Sequence, residues 1–177
     1  MLAPENTEPV LIRLDEELTK AGEKRSLIIC GGGALIVMKV IERRTRDVDV
    51  IAPEIDSLLK KLAAQVGKEF GLSENWLNNG PASLIRDLSA GWQKRTVPVF
   101  AGKALELRAL GRSDLLATKL YAFCDREDDL DDVLRLKPTK DELDSLFPWV
   151  LERDGSAYWP KRVEDCFNRL RGKLNHE

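Results

Sequence analysis

Two carboxylates one residue apart, Asp47 and Asp49, stand at the head of a short apolar run, and three consecutive glycines, Gly31, Gly32 and Gly33, precede them. On a strand, residues i and i+2 face the same way, with Cα atoms about 6–7 Å apart. At an effective dielectric of about 20, two full charges at that spacing repel by roughly 2–3 kcal/mol. Something cationic must offset this. One candidate is a divalent ion, Mg²⁺ or Mn²⁺, carrying a phosphate ligand, because Mg²⁺ is held by one or two carboxylates together with substrate phosphates. The other is the local arginine set, Arg43, Arg44 and Arg46, around a solvated acidic edge. Spacing alone leaves both open. The glycines also have two readings. Without a Cβ they allow a sharp turn and close approach of a ligand. Alone they read as a tight strand-to-helix turn with nothing bound. Followed by Asp47-x-Asp49 they read as a cradle, in which backbone N–H groups of residues 32–35 meet phosphate at a helix N-terminus.

The elements that must position these groups follow from periodicity. Residues 26–30, rich in β-branched side chains, predict a buried strand. A helix is expected over 34–44, with Leu35, Met38 and Ile41 on an apolar stripe and Lys39, Glu42 and Arg43 mostly off it. A second strand begins at Val48 and ends near Ala52, with Asp47 and Asp49 on one face and Val48 and Val50 on the other. Upstream, residues 9–24 predict an amphipathic helix. Val10, Leu11, Leu14 and Leu18 face inward, Asp15, Glu16, Glu17 and Lys20 stay outside, Pro9 sits in the first turn and Gly22 marks the end. Downstream, residues 53–70 predict another helix, which Gly67 and Gly71 would end or fray.

Residues 72–91 are irregular, with Trp76 as an anchor and Asn78-Asn79-Gly80-Pro81 as a turn. The ordinary reading of these asparagines is that they bond their own turn; contact with a base or ribose is the alternative. Residues 95–100 and 103–110 predict a hairpin across Ala101-Gly102, and Glu106 is an uncommon mid-strand carboxylate between Leu105 and Leu107. Its ordinary reading is a solvent-facing residue paired with Arg108 or Lys103. A helix over 114–124, N-capped by Ser113, puts Lys119 on a wide apolar face beside the core, where it snorkels or meets an anion. In the acidic run 125–132, the spacing of Arg126, Asp129 and Asp132 keeps the three near one helical face. Thr139-x-x-Glu142 is a capping box for a helix that Pro148 interrupts or ends. A last helix spans Trp159–Leu174 with a basic, solvated outer face, and His176 at the frayed end is assigned nothing.

Gly31-Gly32-Gly33-Ala34-Leu35 followed by Arg44-Thr45-Arg46-Asp47-Val48-Asp49-Val50 resembles the signature of the nucleotidyltransferase superfamily, the polymerase β-like fold. The Arg44-x-x-Asp47-x-Asp49 form looks like the variant in bacterial proteins related to AbiEii-type toxins. So do Trp76-Leu77-Asn78-Asn79-Gly80-Pro81 and the segment from Asp114 to Ala122 with Arg126, Asp129 and Asp132. The resemblance implies an α+β minimal nucleotidyltransferase fold, a small mixed sheet flanked by helices with a helical C-terminal part. It implies that Asp47, Asp49 and, as a third carboxylate on a later strand, Glu106 are catalytic and hold Mg²⁺ or Mn²⁺. Gly31, Gly32, Gly33, Arg44, Thr45 and Lys119 would bind a nucleoside triphosphate. Arg126, Asp129 and Asp132 would support them as an ion-pair network bracing Lys119 or the turn at 44–46. The implied activity is transfer of a nucleoside monophosphate to an acceptor hydroxyl on tRNA, protein or a small molecule. The alternative is a catalytically degenerate nucleotide-binding or interaction protein, one half of a toxin–antitoxin pair with an antitoxin partner.

Composition bounds the rest. The 177 residues, 43% hydrophobic and 33% charged, suit a single compact domain, an α/β core at 1–110 with a helical part at 111–177 packed on it. A net charge of −2 supplies no basic field for coating DNA, though a local patch suffices for an RNA substrate. Three widely spaced cysteines read as buried free thiols, and the absence of CxxC together with a single histidine argues against zinc. Residues 1–8 carry no leader pattern and no run approaches a membrane span, so a cytoplasmic protein is expected.

Overall fold

A computed structural model describes residues 1–174, and His176 lies outside the described residues. The chain divides into two compact units, Met1–Gly111 and Arg112–Glu177. The fold is α+β, a mixed five-stranded sheet flanked by helices and then an all-helical C-terminal part.

The first unit opens with α1 (Pro4–Lys20). Its start lies five residues before the expected one. Pro4, not Pro9, occupies the first turn, and Asn6 Oδ1 accepts the N–H of Ala3 at 2.7 Å. Pro9 lies inside the helix with its ring exposed. Asp15 is buried, contrary to expectation. It lies at i+4 from Leu11 and so on the inward stripe, and its carboxylate accepts N–H groups from Lys103 (3.1 Å), Ala104 (2.7 Å) and Leu105 (2.7 Å). Burial pushes this carboxyl up, but the three N–H donors outweigh that and hold it below its ordinary value. A side chain at Gly102 would collide with the Asp15 carboxylate, so glycine is required there.

The strands are β1 (Arg25–Cys30), β2 (Val48–Ala52), β3 (Leu77–Asn78), β4 (Val97–Ala101) and β5 (Leu105–Ala109), in the order β3-β2-β1-β5-β4. β1 runs antiparallel to β2 and parallel to β5, and β3 runs parallel to β2. Leu27, Ile29, Val50, Leu105 and Leu107 are buried on one face. The other face carries Ser26, Ile28, Cys30, Asp49, Glu106 and Arg108.

α2 (Gly31–Val37) is shorter than the predicted 34–44 and begins at the glycines themselves. It stops because Lys39 adopts φ 60°, with its N–H on Ile36 O (2.9 Å) and that of Val40 on Leu35 O (2.8 Å). This closure usually employs glycine. α3 (Ser57–Glu69) starts at Ser57 because Asp56 caps it, accepting from the Leu59 N–H at 2.9 Å. A single 3₁₀ turn (Ala82–Arg86) and α4 (Trp92–Arg95) lead into β4, which with β5 forms the expected hairpin.

The second unit holds α5 (Arg112–Arg126), α6 (Leu130–Arg135), α7 (Lys140–Leu151) and α8 (Trp159–Leu174). Ser113 lies within α5 rather than capping it. The acidic run is not one helical face: Glu127, at φ 65°, breaks it between α5 and α6. Thr139 and Glu142 form the predicted capping box, while Pro148 is accommodated inside α7 with its ring exposed. The three cysteines are buried, and none of them is in a disulfide. Among the described residues, no helix is long and apolar enough to cross a membrane.

Candidate functional site

The three glycines of α2 each admit a different part of the segment that carries the two aspartates. Gly31 turns the chain at φ 67°, and a Cβ there would lie 2.5 Å from Asp49 Oδ2. At Gly32 a Cβ would lie 3.1 Å from Thr45 Oγ1 and 3.5 Å from Arg43 Nη2. At Gly33 it would meet the backbone oxygen of Asp47 and Cα of Val48, both at 2.9 Å. Glycine is thus needed so that residues 43–49 can lie against α2, with the Asp49 carboxylate over its first residue.

Three further anchors fix that segment. Thr45 exchanges two backbone hydrogen bonds of 2.9 Å with Leu2. The Val48 N–H donates to Trp76 O at 2.6 Å. Trp76 is fully buried, and its indole N–H donates to Ala63 O at 2.6 Å. Asn79 clasps the far end of β2: its amide donates to Val50 O (2.9 Å) and Pro53 O (3.2 Å), and its oxygen accepts from the Ile55 N–H (2.7 Å). Asn78 Oδ1 accepts the Gly80 N–H at 2.6 Å. Both asparagines are therefore engaged by the local backbone.

Asp47 and Asp49 are half-buried at the start of β2. Asp47 lines a cleft of about 700 Å³ together with Arg46, Ser73, Asn75, Asn78 and Gly80. Of the neighbouring arginines, Arg43 reaches the glycine turn. Arg44, named by the sequence pattern, is exposed and lies 4.0 Å from the Glu5 carboxylate. The turn that ends α2 at Lys39 explains the exchange: past it, residues 40–47 no longer follow helical spacing.

Glu106 does not join the pair. It is in register with Ser26, four residues along β1 from Cys30, which pairs with Asp49. That is about 13 Å along the strand, and β1 itself lies between β5 and β2. Glu106 is exposed and accepts from Ser26 Oγ at 3.5 Å. Arg108 turns away from it, donating to Thr96 Oγ1 (2.8 Å) and Thr96 O (2.7 Å). Asp49's neighbour on the outer side of β2 is Asn78, a contact the sequence did not reveal because β3 is only two residues long.

In the second unit, Lys119 (5% exposed) places its ammonium 2.5 Å from Asp129 Oδ1 and 2.6 Å from Asp132 Oδ2. Arg126 reaches the other Asp129 oxygen at 3.0 Å. The two cations and two carboxylates form one network, with Lys119 at its centre.

The glycine-opened helix thus has two aspartates laid against it, one of them on the wall of a cleft, and both offer hard carboxylate oxygens. A known family matches this chain. Its match spans residues 10–144, and it is described as Nucleotidyltransferase of unknown function (DUF6036). The chain belongs to that family. No curated protein and no solved structure matches it. The DUF6036 match takes in the glycine turn, both aspartates, Asn78 and the Lys119 network.

Proposed function

We propose that the chain transfers a nucleoside monophosphate from a nucleoside triphosphate to an acceptor hydroxyl. The observation that carries this is the Asp49 carboxylate lying over Gly31, two residues along from Asp47 on the wall of a cleft, in a member of a nucleotidyltransferase family. The donor set fits Mg²⁺ or Mn²⁺, since both side chains offer hard oxygens and both are half-exposed. Asp47 and Asp49 would hold the ion. When bound, the ion supplies charge neutralisation and Lewis acidity at the transferred phosphoryl group. Arg43 at the glycine turn and Arg46 in the cleft lend positive charge to the polyphosphate, and Asn75 and Ser73 offer neutral polar contacts. The anchors on Thr45, Val48 and Val50 keep the carboxylates in place, so little ordering is needed on binding.

The amide of Asn78 beside Asp49 favours a second reading. A chain with two carboxylates instead of three binds nucleotide without turning it over, and acts through a partner, as the AbiEii-type likeness of its motifs would have it. One experiment separates the two: pyrophosphate release from each of the four nucleoside triphosphates, alongside thermal unfolding with the same ligands and Mg²⁺. Binding with release supports transfer, and binding without release supports the second reading. No ligand-dependent shift for any triphosphate sinks both. At about 100 times the dissociation constant the expected stabilisation is roughly 2.7 kcal/mol.

A further inference from the structure

We propose that the cavity between α1, the end of α2 and β4 binds a small apolar zwitterion, the class to which the apolar α-amino acids belong. Its volume is about 400 Å³, within the range of sites that take small molecules. No residue lines both this cavity and the cleft at Asp47. Leu11 from α1, Ile36 from α2 and Ile41 beyond it are buried in the lining, and Val37 and Phe100 are half-buried there. These five side chains present only carbon. Thr7 brings the one hydroxyl of the lining, and it is already donated to Ala3 O at 2.7 Å. The interior therefore rewards apolar surface, and any polar recognition falls to the charged residues of the lining.

Those are Glu8 on α1, and Lys39 and Glu42 on the segment after α2, all three exposed. Farther along α1 the charges are paired, Arg13 with Glu16 and Glu17, and Lys20 with Glu17. Among the described residues, Glu8, Lys39 and Glu42 have no ion pair and no side-chain hydrogen bond. Two carboxylates and one ammonium around an apolar interior complement a ligand with an ammonium, a carboxylate and an apolar side chain. A plain amine leaves Lys39 unmatched and repelled, and a plain carboxylic acid meets two like charges. The backbone singles out Lys39 independently. It holds φ 60°, a conformation that glycine adopts freely and a lysine does not. A strained position occupied by an unpaired ammonium beside a cavity points to a use for that ammonium.

The test is calorimetry and thermal unfolding of the whole chain with L-leucine and L-phenylalanine, each compared with its decarboxylated amine and its deaminated acid. It is run on wild type, on Lys39→Gly and on the double variant Glu8→Gln, Glu42→Gln. In wild type at least one of the two amino acids should bind at least about tenfold more tightly than its own amine or acid. Lys39→Gly should bring that amino acid down to the affinity of its amine. Its midpoint without ligand should stay within about 3 °C of wild type, because glycine takes φ 60° without strain. The double variant should bring the amino acid down to the affinity of its acid. An amine or acid that binds wild type as tightly as its amino acid would overturn the inference. So would Lys39→Gly with undiminished affinity, and so would a wild type silent to both amino acids.

Discussion

Each unit brings two aspartates together, and it treats them differently. Asp129 and Asp132 are 6% and 1% exposed and close on the Lys119 ammonium. Asp47 and Asp49 are half-buried, one on the wall of a cleft and the other over a glycine. A carboxylate pair sealed with its own cation has no capacity left for a ligand. A pair left partly exposed, on a backbone anchored from three directions, stays within reach of the nucleoside triphosphate proposed above. The sequence offered Lys119 either to an anion or to the core, and the buried network answers with the chain's own carboxylates. The contrast predicts opposite responses: mutations in the sealed pair should cost stability, and mutations in the open pair should cost binding.

The largest effect belongs to Lys119→Met. It leaves two buried carboxylates without their central ammonium, a loss of about 3–5 kcal/mol. For a chain of this length the midpoint should fall by on the order of 10 °C. Adding Asp129→Asn and Asp132→Asn should recover most of that loss, because the buried charges go with the lysine. A thermal scan in which Lys119→Met unfolds like wild type would break the comparison outright.

Gly31→Ala comes next. A Cβ at φ 67° is strained and would sit 2.5 Å from Asp49 Oδ2, so the carboxylate must shift. The strain costs about 1–3 kcal/mol, and the displaced Asp49 should remove the Mg²⁺–nucleotide stabilisation as well. An alanine variant that loses stability but keeps the full ligand response would separate the glycine from the site. Asp49→Asn is milder on the fold. Removing one of two repelling charges at a half-exposed position should leave unfolding within about 1 kcal/mol of wild type, while the ligand response disappears. If Asp49→Asn proves as destabilising as Lys119→Met, the open pair is structural too.

How much of this was readable follows the range of each interaction. β1, β2 and α8 were legible because apolar runs and helical stripes are local patterns. The end of α2 was not, because Lys39 adopts the left-handed conformation for which glycine is the usual marker. Asp15 was read as outward from its polarity. Its partners are backbone N–H groups 88 to 90 residues away, and only the folded chain shows that three of them converge on it. The aspartates and glycines were found together because their spacing spans one strand–helix–strand unit. Glu106 was chosen for its apolar neighbours, and alternation along a strand assigns a face but not a row. Asn78 reaches Asp49's side through a two-residue strand, too short to carry any pattern.

The smallest predicted effect sharpens the contrast within the second unit. Glu142 is sealed in the manner of Asp129, but at the surface. Arg112 ion-pairs with it, its side chain is 31% exposed, and it accepts the Thr139 N–H at 2.8 Å. The Arg112 guanidinium, followed by that N–H, holds its carboxyl down at about 2 against an ordinary 4.5. A lowered folded-state value means the unfolded chain takes up the proton first. The stabilisation is therefore complete above pH 4.5 and drains away as pH falls toward about 2. Glu142→Gln keeps a side chain able to serve the capping box and removes only the charge. The midpoint difference between wild type and Glu142→Gln should accordingly be constant from neutral pH down to about 5 and shrink below it. Solvent screening keeps it small, well under the Lys119 effect, and salt should reduce it further. A difference that stays flat to pH 2 would mean that the ion pair contributes nothing and that the capping box alone closes the start of α7.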